Sequence, residues 1–176
     1  MDVFEVIKSR RSVRAFTKQP VSNKEIMSLI DAARWAPSAG NIQPWKFIIV
    51  RDPKVKHGLA GAALNQTLIE EAPVIIVVCA DSNQSASRYG NRGASLYCLQ
   101  DTAAATQNML LAAHAMGLAT CWIGAFQEKE VLKVLNIPNG IRPVAIITVG
   151  HASENPVAHS IKPINEITYN ESFGRN

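Results

Sequence analysis

Two short segments near the start of the chain hold residue types suited to ligand binding. Arg10-Arg11-Ser12-Val13-Arg14-Ala15-Phe16 gathers guanidinium groups and a hydroxyl. A phosphate monoester offers several acceptor oxygens. Guanidinium forks bind them bidentately, and a hydroxyl adds one more donor. The bland alternative is a solvated basic turn that pairs with Asp2 or Glu5. The second segment is Ala36-Pro37-Ser38-Ala39-Gly40-Asn41-Ile42-Gln43-Pro44-Trp45. Gly40 admits a backbone conformation closed to other residues, and Pro37 and Pro44 stiffen both ends. Asn41 and Gln43 each carry a donor and an acceptor in one planar amide, which suits the edge of a flat heterocycle. The bland alternative is a turn whose amides cap neighbouring backbone groups. Trp45 reads as core.

A phosphate grip and a ring-edge loop, with a capped helix between them, point to a bound flavin mononucleotide and so to redox chemistry. The elements that must position them follow from periodicity. Asp2 caps a short helix to Ser9. Ser22-Asn23-Lys24-Glu25 is a capping box, and Ile26, Leu29, Ile30 and Ala33 recur at helical spacing. This predicts a helix over 23–35, stopped by Pro37. Residues 45–50 read as a strand, and 54 to about 71 as helix weakened by Gly58 and Gly61. Val74 to Ala80 is a β-branched run without alternation, the mark of a strand covered on both faces. Residues 81–92 are polar with a glycine and predict an exposed, mobile loop. The longest helix is expected over 94–116, with Gly117 as its stop. Its stripe of Ala104, Asn108, Leu111, Ala112 and Ala115 admits a close helix neighbour, from this chain or a second subunit. A strand at 119–123, a helix at 128–135 and a strand at 144–149 precede a polar, Pro-containing tail from Ala152 onward. That tail has no core of its own, so it either frays or packs on something else.

At 176 residues and 47% apolar, the chain predicts one globular domain. The longest apolar run is too short to span a bilayer. The first residues show no basic region followed by an apolar core, so no signal peptide is expected. Cys79, Cys98 and Cys121 have no metal-type spacing and read as reduced thiols of a cytoplasmic protein. Of the net charge of +4, much is concentrated between Lys8 and Lys18. Such a cluster suits nucleic acid or a small anion, and charge alone does not choose. No G-x-G-x-x-G follows a strand and no Walker A sequence is present, which argues against a dinucleotide fold or a P-loop.

Arg-Arg-Ser-Val-Arg-x-Phe, Pro-Ser-x-x-Asn-x-Gln-Pro-Trp, Glu-Ala-Pro before an apolar strand, and Asp101 to Gly124 follow one another in register. In this the chain resembles the FMN-dependent nitroreductase family, from about Val3 to His151. The resemblance implies an α+β fold with a central, mostly antiparallel sheet surrounded by helices. It implies a single domain over 1–176, and a homodimer with FMN at the subunit interface. The 152–176 extension would be exchanged onto the partner. Arg10, Arg11, Ser12 and Arg14 would hold the phosphate and ribityl chain. Ser38, Asn41 and Gln43 would reach the flavin from the partner subunit, and Asn65 would lay an amide against the ring. Ile123 and Gly124 would offer backbone near N5 and the carbonyl edge. The family often has a tail arginine two residues before a proline. Here Ile161 stands there, and Lys162 follows as the cation available to replace it.

The activity so implied is hydride transfer from NADH or NADPH to a nitroaromatic, a quinone or a similar small acceptor, by a ping-pong mechanism. No metal and no protein nucleophile are required. Two other readings compete. One is a relative that cleaves flavin or removes halogen, which generally calls for added lid residues, and 81–92 is short for a lid. The other is a flavin-binding or nucleic-acid-binding module without turnover. His57, His114, His151 and His159 are weak acid candidates, and His114 reads as a packing residue. Neither a ribose-reading acid nor a 2′-phosphate-reading arginine stands in a known frame, so the preferred nicotinamide donor stays open.

Overall fold

The computed structural model describes residues 2–175. Helix α1 (Val3–Ser9) leads into an extended strap, then α2 (Asn23–Arg34) and a tight turn at Ala39–Asn41. Strand β1 (Trp45–Val50), helices α3 (Pro53–Ala62) and α4 (Leu68–Glu71), and strand β2 (Val74–Asp81) follow. Helix α5 (Ser82–Arg92) passes through a π-helical turn at Gly93–Tyr97 into the long α6 (Cys98–Ala115). Strand β3 (Ala119–Ile123), helix α7 (Glu128–Val134) and strand β4 (Ile141–Gly150) complete the body.

The sheet order is β1-β2-β4-β3, and each neighbouring pair is antiparallel. This is the mixed helix and antiparallel-sheet architecture expected. Strand β2 is central and buried along almost its whole length. Side chains alternate across a strand, so its even and odd residues feed different cores. Val74, Ile76 and Val78 meet Ile26 and Leu29 of α2 and Ala105 and Met109 of α6. Ile75, Val77 and Cys79 meet Leu59 of α3, Ile69 of α4 and Val131 of α7. Two helical layers therefore clamp one sheet. Truncating a fully buried residue such as Ile76 to Ala would cost about 2–5 kcal/mol. Trp45 is core, as read from the sequence.

Helix α2 begins with the expected capping box. Ser22 N–H donates to Glu25 Oε2 at 2.7 Å, and Glu25 N–H donates to Ser22 Oγ at 3.2 Å. The Ser22 hydroxyl and backbone amide both stabilise the ionised Glu25 carboxylate and lower its pKa. The small-residue stripe of α6 has its neighbour within the chain. Asn108 Nδ2 donates to Ala32 O of α2 at 3.3 Å, and Ala104 and Ala112 pack against the shared core.

Several boundaries differ from the sequence reading. Residues 82–92 form a helix, not a mobile loop. Asp81 caps it by accepting Gln84 N–H at 3.0 Å, and Ser85 turns inward and is buried. Gly90, at φ 55 and ψ −144, bends it near its end. The helix expected over 54–71 is split in two. Leu64 and Asn65 adopt φ 60 and 59, and Asn65 N–H closes the end of α3 onto Ala60 O at 2.9 Å. The last strand starts at Ile141, ahead of the expected 144. A bulge between Val78 and Cys79 lets the strand continue through Pro143, which lacks an N–H to donate. The tail from Val157 on is largely exposed, with Val157 at 83%, Ile161 at 87% and Phe173 at 91% of full accessibility. No helix among the described residues is long and apolar enough to cross a membrane.

Candidate active site

The arginine segment is an extended strap that pairs first with the edge strand β3 and then with the residues that follow β4. Val13 N–H donates to Thr120 O at 3.0 Å, Thr17 N–H to His151 O at 2.8 Å, and Ser153 N–H to Ala15 O at 3.0 Å. Val13 is buried and Arg14 turns out to solvent, while the half-buried Ser12 places its hydroxyl beside the Cys121 thiol. Arg10, Arg11, Ser12 and Arg14 line one cavity of about 270 Å³ together with Lys8, His159 and Ile161. No acidic side chain lines it. Among the described residues, the Arg10 and Arg14 side chains make no hydrogen bond or ion pair. Those two cations and the Ser12 hydroxyl fit a phosphate.

Arg11 is already engaged. Its Nη1 donates to Lys8 O at 2.7 Å and to Arg10 O at 2.8 Å, closing the C-terminal turn of α1. On the other side of the strap, Ser9, Arg10, Arg11, His114 and Glu154 line a second cavity of about 310 Å³. His114 Nε2 lies 2.7 Å from Ser9 Oγ, as befits a packing histidine. Burial, then the nearby Arg10 and Arg11, hold its pKa below the ordinary imidazole value. Glu154 accepts the backbone N–H groups of Arg14 and Ala15, which fixes the strap.

The 38–43 loop is braced by side chains. Gly40, Asn41 and Gln43 lie at φ 56, 56 and 55. Gln43 N–H donates to Ser38 Oγ at 3.0 Å, and Gln43 Nε2 donates to Asn41 Oδ1 at 3.0 Å. Among the described residues, Asn41 Nδ2 and Gln43 Oε1 stay free as donor and acceptor on exposed side chains. Three more bonds reach the loop from outside. Ala39 N–H donates to Asp101 Oδ1, Arg88 Nη1 to Gly40 O, and Gln84 Nε2 to Ile42 O. The sequence reading missed these residues. An aspartate in the alanine-rich α6 was the available signal.

Ile123 ends β3 with its side chain in the core, leaving only its backbone to offer. Gly124 lines a cavity of about 300 Å³ with Thr102, Trp122, Phe126 and Arg142. Asn65 is exposed at the corner after α3, and Lys162 is exposed in the tail. Ile161, not Lys162, lines the arginine cavity. Within one chain, then, Arg10, Arg11, Ser12 and Arg14 come together. The 38–43 loop, Asn65 and Gly124 do not share their cavity.

The sequence pattern of the nitroreductase family matches this chain over residues 7–71 and 61–151. The chain belongs to the nitroreductase family. An FMN reductase (NADPH) of Bacillus subtilis is 34% identical over 163 residues, spanning 85% of this chain and 66% of its own. The NfrA1 nitroreductase of Bacillus subtilis superposes with a TM-score of 0.91 at 30% identity, covering 99% of this chain and 76% of that one. The NADPH:FMN oxidoreductase of Vibrio harveyi, solved with NAD+, gives a TM-score of 0.90 at 26% identity. That match covers 99% of this chain and 79% of the Vibrio chain. The nitroreductase fold thus covers nearly the whole of this chain.

Proposed function

We propose that this protein is an NAD(P)H-dependent FMN oxidoreductase that reduces nitroaromatic, quinone or similar acceptors, working as a homodimer. The observation that carries the reading is the acid-free cavity lined by Arg10, Ser12 and Arg14. Membership of the nitroreductase family supports it, as do relatives named for FMN and NADPH.

When bound, FMN supplies the hydride chemistry between nicotinamide donor and acceptor. Arg10, Arg14 and Ser12 bind its phosphate by charge-assisted hydrogen bonds. Arg11 sets the direction of the strap and adds positive potential. Ser38, Asn41 and Gln43 orient the ring from the partner subunit, which accounts for their absence from the arginine cavity of their own chain. Asn65 adds an amide, and Ile123 and Gly124 add backbone groups at the ring edge. Lys162 supplies the tail cation once the tail packs on the partner. No side chain is required to carry a proton in the hydride step. NAD(P)H and the acceptor then use one open face in turn.

The test is direct. Purified protein is expected to show flavin absorbance bands, and mass spectrometry of the extracted cofactor should identify FMN. Recovering FAD, or no flavin after reconstitution, overturns the reading. NADPH oxidation with menadione should give parallel double-reciprocal plots at several acceptor concentrations. Intersecting plots would mean that both substrates bind together, and the single-face mechanism would fall.

A further inference from the structure

We propose that Arg88 and Asp101 are positioning residues that hold the 38–43 loop between α5 and α6 and so set how Asn41 and Gln43 meet the flavin ring. This rests on the reading of that loop as a ring-binding element.

The loop cannot hold itself. Its internal bonds all span five residues or fewer: Asn41 N–H to Ser38 O at 3.0 Å, Ile42 N–H to Ala39 O at 3.2 Å, and the two Gln43 bonds to Ser38 Oγ and Asn41 Oδ1. Asn41 and Gln43 sit in a left-handed backbone region that side chains disfavour. Such conformations persist only where the surroundings over-determine them. Here the surroundings are two helices from a different part of the chain. Arg88 donates to Gly40 O at 2.9 Å, and Asp101 accepts Ala39 N–H at 3.0 Å. A guanidinium and a carboxyl group thus grip consecutive residues, one at a carbonyl and one at an amide. Gln84 adds a neutral bond to Ile42 O at 2.9 Å.

The fit is tight at Gly40. A Cβ there would lie 2.5 Å from Tyr89 Oη and 2.7 Å from Arg88 Nη1. The ends of the Tyr89 and Arg88 side chains of α5 therefore rest on the loop backbone itself. The helix end also folds tightly back on itself, since a Cβ on Gly93 would lie 2.3 Å from Ser85 O. Asp101 is 6% exposed, and its Oδ2 has no partner among the described residues. Burying a carboxyl group with one oxygen unpartnered is costly, and the bond that its side chain does make goes to this loop. Burial pushes its pKa up, and the Ala39 N–H opposes that rise.

The experiment compares FMN-loaded protein carrying Arg88→Ala, Arg88→Lys, Asp101→Ala and Asp101→Asn with the native chain. The alanine variants should keep FMN stoichiometry, since Arg10 and Arg14 hold the phosphate. They should shift the visible flavin spectrum and midpoint potential and lower kcat about tenfold, leaving KM for NADPH in place. Amide hydrogen exchange at residues 39–43 should quicken in the flavin-free protein. Arg88→Lys keeps a donor for Gly40 O, and Asp101→Asn keeps an acceptor for Ala39 N–H. Both should restore most of the native behaviour, and they carry the test if an alanine variant does not fold. Native spectrum, potential and exchange in the alanine variants overturn the proposal, as does failure of both conservative variants to rescue. Asn41→Ala separates the two levels. If it leaves the flavin spectrum unmoved, the ring-binding reading of the loop fails. If it moves the spectrum and Arg88→Ala does not, only the positioning role fails.

Discussion

The Arg11 guanidinium lies 2.7 Å from the carbonyl oxygen of Lys8, in the last turn of the helix just before it. A second bond from the same nitrogen reaches Arg10 O at 2.8 Å. Of the guanidiniums in this segment, Arg11 therefore closes a helix, while Arg10 and Arg14 remain without protein partners among the described residues.

That difference predicts unequal mutants. Arg10→Ala and Arg14→Ala should each weaken FMN binding by about 1.5–3 kcal/mol, the range for hydrogen bonds to charged groups. Arg11→Ala should cost less FMN affinity and more helix stability. Titration of flavin-free protein with FMN, followed by fluorescence quenching, measures the first effect. Equal losses at all three positions would return Arg11 to the phosphate.

Lys56 offers a purely structural test. Its buried Nζ donates to Glu70 O and Ala72 O, both at 2.8 Å, and so closes the end of α4 beneath the sheet. Lys56→Met keeps the volume and removes both bonds. The expected loss is about 1–3 kcal/mol for the carbonyls left unsatisfied. Urea denaturation at fixed protein and FMN concentration reads it as a lower midpoint with an unchanged slope. A native midpoint would show that water replaces the ammonium without cost.

His114 predicts a pH effect. Its folded pKa is depressed, so the unfolded chain takes up a proton at higher pH than the fold does. The stability it contributes is complete above the ordinary value of about 6.5 and declines as the pH falls through the folded pKa. His114→Gln should flatten that part of the acid limb. Saturation with FMN neutralises Arg10, and the imidazole pKa should then rise towards its ordinary value. NMR titration of the imidazole ring follows this directly. An unmoved pKa in the presence of FMN would argue that the phosphate does not sit beside Arg10.

The tail predicts an assembly. Val157, Ile161, Ile164 and Phe173 are apolar and exposed, as are Val3, Phe4 and Ile7 on α1. A chain ended after Asn155 keeps the Glu154 bonds to the strap but loses this surface. It should lose both dimerisation and retention of FMN, since obligate interfaces bury more than about 2,000 Å². Sedimentation velocity checks this. A flavin-loaded monomer of the full chain at micromolar concentration would refute the dimer.

Much of this fold is legible in the residues because local and tertiary signals agree. The capping box at Ser22 and the helical spacing after it place α2 within one residue at its C-terminal end. The unalternating run from Val74 marks a strand covered on both faces, and both cores are present. The misreadings arise where long-range contacts decide. Residues 82–92 are polar and contain Gly90, so they do not announce a helix. Asp81 caps them, and the 38–43 loop supplies acceptors that no local window contains. The break after Ala62 depends on left-handed Leu64 and Asn65, and leucine gives no warning of such a turn. Of the candidate site, the arginine cavity is legible because its members lie on one strap. The roles of Arg88 and Asp101 are not, since each is far in sequence from the loop it holds.

The bridge between Ser12 and Thr120 also turns strand β3 into a ruler. One end of the strand is pinned at the arginine strap, and the other delivers Ile123 and Gly124. At roughly 3.3 Å per residue, the graduation from Thr120 to Gly124 is about 13 Å. On the proposed reading, the distance between the two ends of the flavin is thereby set by backbone hydrogen bonds rather than by any side chain. A residue inserted after Thr120 would lengthen the scale by one division and invert the face of all that follows. The sheet could absorb such a slip by shifting its turn, but a molecule of fixed length could not.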